Sequence, residues 1–527
     1  MMKRLDASDR ERIERVIASH LDELTPVRGF LAAKPGFAIA GGKLVREPSI
    51  VVYVRQKRIP HTLAAREMLP REIEGIRVDV ATAGPRTEVD LLEDTSIASG
   101  EDAALAGLHY EGIPDNPIDK SFIIEKPMLC HAGPDTGWIV LRDFIATSRL
   151  SLTAAMYDFN ADYIERALAE AVEANGFGIT LTLDNGLLDD ERAIHERLRE
   201  RLTTSYDAEI VFCSKNGRFP SAYHEKVIVR DEESLWLSSG NWSRRSQPDI
   251  DPIGDPPSAS SMFSKGNREW HIIVDDKPLA KVFARYIKHD LTKAREDAAL
   301  GVEAITLPDV FVRLDDLMAE VETAALAAPV PVASVRLPST PRHVKVRPLL
   351  SPDNYAKRIT KLVRSAEQRL YLQYSYITWN DLPGDQAFRD VLLHLGELSW
   401  RTDFDLRVIM DSRDVKEKTR ILAQNGWNEA VVRGQGRVHN KGIIVDGKRV
   451  LVSSQNWSGD GFLRNRDAGL IVEDEEIAGY YETIFLDDWN KRARPPLADG
   501  PLAMIARDGE RTPSGMVRMS WRDFYGD

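Results

Sequence analysis

Cysteine is nearly absent: Cys130 and Cys213 are the only two in 527 residues, and they lie far apart and in no Cys-x-x-Cys pair. That excludes a disulfide-stapled scaffold and a cysteine-ligated zinc site, and it suits unpaired thiols in a reducing compartment. Long apolar runs are missing too. No stretch approaches the roughly 18 residues of a membrane span, and the charged opening MMKRLDASDRERIERVIASHLDEL lacks the apolar centre of a signal peptide. A soluble, cytoplasmic protein is expected. Nor is there an excess of positive charge: the formal net charge is -12 at pH 7, which argues against a surface that coats nucleic acid throughout. No His, Cys, Asp or Glu cluster has metal-ligand spacing, so no metal or other cofactor is expected.

What is present is ordinary globular material, 43% apolar and 29% charged, long enough for two to four domains each with its own core. Residues 1–90 open with an amphipathic helix followed by two β-rich runs, GFAIAGGKLV and SIVVYVRQKRI, and predict a small α+β domain. Residues 91–135, with the Pro-punctuated EGIPDNPIDKSFIIEKPML, predict a linker along the surface. Residues 296–345, containing ALAAPVPVASVRLPSTPRHVKVRP, predict a second linker, since so many prolines cannot sit in a continuous helix. Between and after them, 136–295 and 346–495 repeat one order of elements: helix, apolar strand, helix, strand ending in Asp, then a pair of motif strands. Residues 496–527 remain as a C-terminal tail. Strands alternating with helices imply α/β layers with mixed sheets.

The repeat carries a motif. The first block contains HEKVIVRDEESLWLSSGNWS and the second HNKGIIVDGKRVLVSSQNWS, placing His224, Lys226, Asp231, Ser238, Ser239 and Asn241 at the same intervals as His439, Lys441, Asp446, Ser453, Ser454 and Asn456. Alternate residues of a strand share a face, so each His points with its Lys, one base beside one cation. The apolar runs on either side of each Asp predict a hairpin that returns Asn241 and Asn456 beside their own His and Lys. Downstream, NREWHIIV and NRDAGLIV place Glu269 and Asp467 in matching positions. A carboxylate there can accept a histidine Nδ1–H and fix the tautomer.

These residues resemble the signature of the phospholipase D superfamily, His-x-Lys, four residues, Asp, six residues, then Gly/Ser-Ser-x-Asn, and the resemblance covers both blocks. It implies two phospholipase D-like α/β/α sandwich domains sharing one site, and a phosphodiesterase that works in two steps without a metal. One His attacks phosphorus to form a phosphohistidine; the other protonates the leaving alcohol and then activates water. The resemblance assigns His224 as nucleophile and His439 as acid and base, although the symmetry of the motifs allows the reverse. Lys226, Lys441, Asn241 and Asn456 would bind the non-bridging oxygens, and the carboxylates would cross, Asp467 to His224 and Glu269 to His439. The departure is Ser238 and Ser453, where many members have Gly.

Around the motifs the readings are plainer. Asp231 and Asp446 sit at the turn end of the hairpin, where capping is natural, and Ser239 and Ser454 support the motif. Trp242 and Trp457 suit a core, and His131 and His271 structural positions. Arg244, Arg245, Arg268 and Arg466, with Lys265, Arg433, Arg437 and Arg464, read as a basic rim that could bind substrate or be merely solvated. The loop between Asn241 and Glu269 is much longer than its counterpart, so access is expected to be asymmetric. Trp379, Phe462 and Phe263 could line an acyl-chain entrance. A phospholipid is the expected substrate, hydrolysed or transphosphatidylated, with peripheral membrane contact; DNA or RNA is the alternative, and a scaffold that has lost catalysis a third reading. A monomer suffices, since both halves are in one chain.

Overall fold

Alternating apolar strands and amphipathic helices build the same layered unit twice. The computed structural model describes residues 5–525 apart from 41–42, 58–62, 65–66, 90, 92–109, 185–188, 212, 214–217, 220–221, 300–307, 315–329, 380–382, 414 and 497–502. At the N-terminus a helix, Ala7–Ser19, is capped by Asp6, whose carboxylate accepts the Asp9 N–H at 2.7 Å. Its Ile13 and Val16 bury against a sheet of β1 (Phe30–Ala40), β2 (Lys43–Val54), β3 (Glu72–Ile73) and β4 (Ile76–Thr82), in the order β1-β2-β4-β3.

The first repeat is built from β6 (Met128–Gly133), β7 (Ser151–Met156), β8 (Gly178–Asp184), β9 (Tyr206–Val211), β10 (Lys226–Arg230), β11 (Ser234–Ser238) and β12 (Glu269–Val274), the second from β15 (Val344–Ser351), β16 (Arg369–Tyr374), β17 (Asp405–Asp411), β18 (Val432–Gln435), β19 (Lys441–Val445), β20 (Arg449–Ser453) and β21 (Asp467–Glu473). Each forms an eight-stranded mixed sheet by taking one further strand, β14 (Val335–Leu337) for the first and β5 (Phe122–Ile124) for the second. β7, β8 and β9 run parallel, joined by helices Asp162–Asn175 and Asp189–Leu202 as parallel pairing requires; β16, β17 and β18 do the same through Gln386–Leu398 and Val415–Gln424. The motif strands pair as hairpins, β10 with β11 and β19 with β20.

One face of each sheet packs on its helices. The opposite faces of both sheets, with helices Lys277–Ala299 and Glu475–Asp487, form one continuous core that the halves share, in addition to the helix-side core each buries for itself. Trp270 of the first half lies so close to β19 that a Cβ on Gly442 would sit 2.3 Å from its ring.

Both expected linkers need correction. Within 91–135, β6 lies inside the first sheet and β5 pairs with β15 of the second; within 296–345, β14 pairs with β6 of the first. Short apolar runs between prolines suffice for these positions because a neighbouring strand supplies the other half of the ladder. The tail is corrected as well: β22 (Met504–Ile505) and β23 (Met516–Met519) flank β13 (Val310–Arg313) in a third sheet, and a last helix, Trp521–Tyr525, follows. Among the described residues no helix is long and apolar enough to cross a membrane.

Candidate active site

The hairpin turns are fixed first. Asp231 and Asp446 adopt positive φ, 58° and 54°, and each carboxylate gathers the N–H groups of the turn entering a neighbouring strand: Arg149, Leu150 and Ser151 around Asp231, and Glu367, Gln368 and Arg369 around Asp446. Several charge-assisted bonds to one partly buried carboxylate fix each hairpin against its antiparallel neighbour, β7 or β16.

Each catalytic-type His then sits just before β10 or β19, and its backbone is held by the other half. The His224 N–H donates to Arg466 O at 2.6 Å and the His439 N–H to Arg268 O at 3.2 Å, so the residue preceding each carboxylate grips the opposite histidine. The side chains repeat that crossing. His224 Nδ1 lies 2.8 Å from Asp467 Oδ1 and His439 Nδ1 2.7 Å from Glu269 Oε1, all four groups being buried. A carboxylate at Nδ1 selects the Nδ1–H tautomer and directs Nε2 away from it, toward the reacting position. The carboxylates are oriented in turn: Ser454 Oγ donates to Asp467 at 2.8 Å, and Ser239 Oγ and Ser246 Oγ donate to Glu269 at 2.6 and 2.8 Å.

The halves differ in detail. Lys226 Nζ donates to His224 O at 2.8 Å and lies 5.0 Å from the centre of the Tyr157 ring, whereas Lys441 Nζ donates to His439 O at 2.7 Å and to Ser375 Oγ at 3.2 Å and lies 2.8 Å from His439 Nε2. Burial, reinforced by Lys226, pushes the His224 imidazole down to about 4 against the opposing pull of Asp467, and Lys441 of the other half adds to the depression. Burial pushes the Glu269 carboxyl up, but the His439 imidazole and Lys441 ammonium outweigh it and hold it below the usual carboxylate range. Asn241 and Asn456 are buried three residues past the ends of β11 and β20. Among the described residues no group of three His, Cys, Asp or Glu could hold a metal ion.

Other expectations fare differently. Trp242 and Trp457 are fully buried in the helix-side cores. His131 and His271 stack at 4.6 Å inside the first sheet, where burial pushes the His131 imidazole down to about 3. Arg268 and Arg466 are not rim residues, which corrects their assignment to substrate. Arg268 is closed between Asp135 (2.6 Å) and Asp488 (2.9 Å), and Arg466 between Asp290 (2.7 Å) and Asp353 (2.6 Å), so their charge is neutralised inside the protein. Arg244 and Arg464 are engaged by Asp162 and Asp385. The acyl-entrance reading is corrected too: Phe462 is buried beside Tyr355 and Phe388, and Phe263 is buried beneath Arg268 and Arg492. Sequence reasoning missed Tyr157 and Ser375, the lysine partners, and gave no task to the strand-ending Asp184 and Asp411. These two accept the N–H of Tyr223 (2.9 Å) and Val438 (3.2 Å), each just before its His. Their signal was the Asp repeated at the end of both parallel strands.

Two α/β halves interlock to bring two His-Lys pairs together, each His held by the other half's carboxylate, in one site shared across a duplication. Residues 141–291 and 359–489 match the family described as "Cardiolipin synthase, PLD-like domain", and the chain belongs to that phospholipase D-like family. Among curated proteins, "Phospholipase D" of Rickettsia conorii is 26% identical over 145 residues, 27% of this chain and 65% of that protein, and "Phospholipase D" of Rickettsia felis is 30% identical over 90 residues, 16% and 43% respectively. The chain thus spans less than two thirds of the length of these relatives. Among solved structures, phosphatidylserine synthase of Haemophilus influenzae aligns over 76% of this chain and 91% of its own at 13% identity and a TM-score of 0.42, and the phospholipase D family member Nuc of Salmonella typhimurium over 33% and 97% at 15% and 0.25.

Proposed function

We infer that this member of the family hydrolyses, or transfers to an alcohol, the phosphodiester of a phospholipid through a phosphohistidine on His224. The observation that carries the reading is the crossed pair of buried His–carboxylate contacts, Asp467 to His224 and Glu269 to His439. A nucleophile must begin neutral, and the depressed His224 imidazole suits that role. Its Nε2 lone pair attacks phosphorus, the P–O bond to the leaving alcohol breaks, and the proton on His439 Nε2 passes to that alcohol. Water, or a second alcohol, then gives its proton to His439 and attacks the phosphohistidine, restoring His224. Lys226, Lys441, Asn241 and Asn456 stabilise the charge that grows on the non-bridging oxygens, and losing one such donor typically costs about 3 kcal/mol of transition-state stabilisation. No step is assigned to a metal.

The relatives called phospholipase D support a lipid substrate. So does the spent basic rim: with Arg268, Arg466, Arg244 and Arg464 neutralised by carboxylates, less positive charge is left to track a nucleic-acid backbone. The net charge of -12 points the same way. Two buried cysteines outside any disulfide, Cys130 and Cys213, agree with a reducing compartment.

The test offers purified protein phosphatidylcholine vesicles and, separately, single- and double-stranded DNA, all with EDTA, beside His224→Ala and His439→Ala. Choline release lost in both variants is expected. DNA cleavage lost in both would replace the lipid with a nucleic acid, and activity that disappears with EDTA and returns with a divalent cation would remove the metal-free mechanism.

A further inference from the structure

The reacting groups are almost entirely covered. His224 is 4% exposed, and Lys226, His439 and Lys441 are 0% exposed. A phosphodiester must nevertheless bring phosphorus within bonding distance of an imidazole nitrogen. Something over the site therefore has to give way, and the covering piece is identifiable from its anchors.

The last helix, Trp521–Tyr525, is fastened at the strand ends that surround the cluster, on both halves. On the first half, Arg522 donates to Asp184 Oδ1 at 2.5 Å, to Glu191 at 3.1 Å and to Tyr157 O at 3.2 Å, and its guanidinium lies 4.2 Å from the centre of the Tyr157 ring. That ring stands edge-on to His224 at 4.6 Å and beneath Lys226. Arg245, four residues beyond Asn241, donates to Asp523 O. On the second half, Arg413 is paired with Asp411, at the end of β17, and donates to Phe524 O. Arg86 lies between Tyr525, at 4.4 Å, and Tyr376, at 3.7 Å, and Tyr376 is the neighbour of Ser375, which holds Lys441. Asp184 and Asp411 are equivalent positions of the two repeats, so the helix bridges the crevice at matched points.

We propose that helix Trp521–Tyr525 is a plug closing the crevice between the two halves, latched by Arg522 to the first and by Arg413 to the second, and that it must leave before a phosphodiester reaches the histidines. The anchor set favours a hinged cap over a permanent wall. On the second half it includes the Phe524 main-chain carbonyl and the Tyr525 ring face. Trp521, Phe524 and Tyr525 rest on Val310 and Val312 of the small third sheet and on Ala503 beside it, outside the cores of the two halves. Removing the helix therefore leaves those cores intact and exposes Asp184 and Glu191 to water, where their charge is solvated. A plug populated nine-tenths of the time lowers access by about tenfold, because the apparent rate scales with the open fraction. The proposal rests on the His-Lys clusters being the reacting centre, but its test reads access and not turnover.

The experiment labels the full chain with diethylpyrocarbonate and follows each histidine by peptide mass spectrometry, with His343, whose side chain is 73% exposed, as the internal reference. The wild-type protein is expected to acylate His224 and His439 at least about tenfold more slowly than His343. The full-length Phe524→Ala/Tyr525→Ala variant is expected to raise both rates about tenfold with His343 unchanged, and a chain ending at Met519 to do the same. Circular dichroism and the unfolding temperature establish that each variant is folded. Turnover of bis(p-nitrophenyl) phosphate, measured in parallel, should rise by a similar factor. Labelling of wild-type His224 as fast as His343 would overturn the plug without any variant. So would folded variants in which neither histidine becomes more reactive. Increased labelling without turnover would keep the plug and count against the proposed chemistry alone.

Discussion

At the residue scale, the chemistry depends on which groups stay neutral, and burial decides that more than the partner carboxylate does. The His224 imidazole is held down at about 4, below its ordinary 6.5, so it remains neutral as pH falls through 6.5 and takes up a proton only near 4. The acid limb of kcat/KM is therefore expected near pH 4, which a pH–rate series on bis(p-nitrophenyl) phosphate reads. An acid limb near 6.5 would mean that His224 is not the group that must be neutral. Asp467→Asn keeps the volume but no longer selects the Nδ1–H tautomer, and kcat is expected to fall about 10²- to 10⁴-fold with little change in KM. The repeated His, Lys and Asn were readable because the motif spacing is local and the strand period converts it directly into a shared face. Arg268 and Arg466 were not. A charged residue beside a motif reads as rim, and the acids that neutralise Arg268 come from Asp135 and Asp488, those of Arg466 from Asp290 and Asp353, all remote in sequence. Replacing Arg268 by Ala strands two buried carboxylates and is expected to destabilise the protein by about 3–5 kcal/mol, measured by urea unfolding, whereas a rim arginine would cost almost nothing.

At the scale of the element, the hairpin is the unit that carries the site, and its turn aspartates hold it. Asp231→Ala and Asp446→Ala each remove the acceptor for three backbone N–H groups and leave Ala at a positive φ that Asp tolerates better. Each is expected to cost about 1–3 kcal/mol of stability while leaving the activity of the folded fraction within about twofold, which unfolding curves and active-site titration separate. Strand and helix order followed from periodicity, including the strands that end in Asp184 and Asp411. The strands inside the expected linkers did not, because β5, β6 and β14 are three to six residues long and acquire their identity only from the ladder they join. A single short apolar run between prolines carries no period.

For the whole molecule, the duplication means more than two similar domains in series. The halves share a core, exchange an edge strand through each linker, and hold each other's histidines by main chain and side chain. Duplication was visible in the repeated order of elements. The shared core was not, since nothing local distinguishes a sheet face that meets helices from one that meets the other half. The consequence is that neither half should retain activity alone, and that His224→Ala and His439→Ala should each lower turnover by at least about 10³-fold, because the two groups act as one unit. The most direct measurement is a rapid-mixing experiment with short-chain phosphatidylcholine quenched in alkali, where phosphohistidine survives, followed by peptide mass spectrometry. A transient adduct on His224, absent from His224→Ala, is the predicted result. An adduct on His439, or product released in the first turnover with neither histidine modified, would contradict the assignment of His224 as nucleophile.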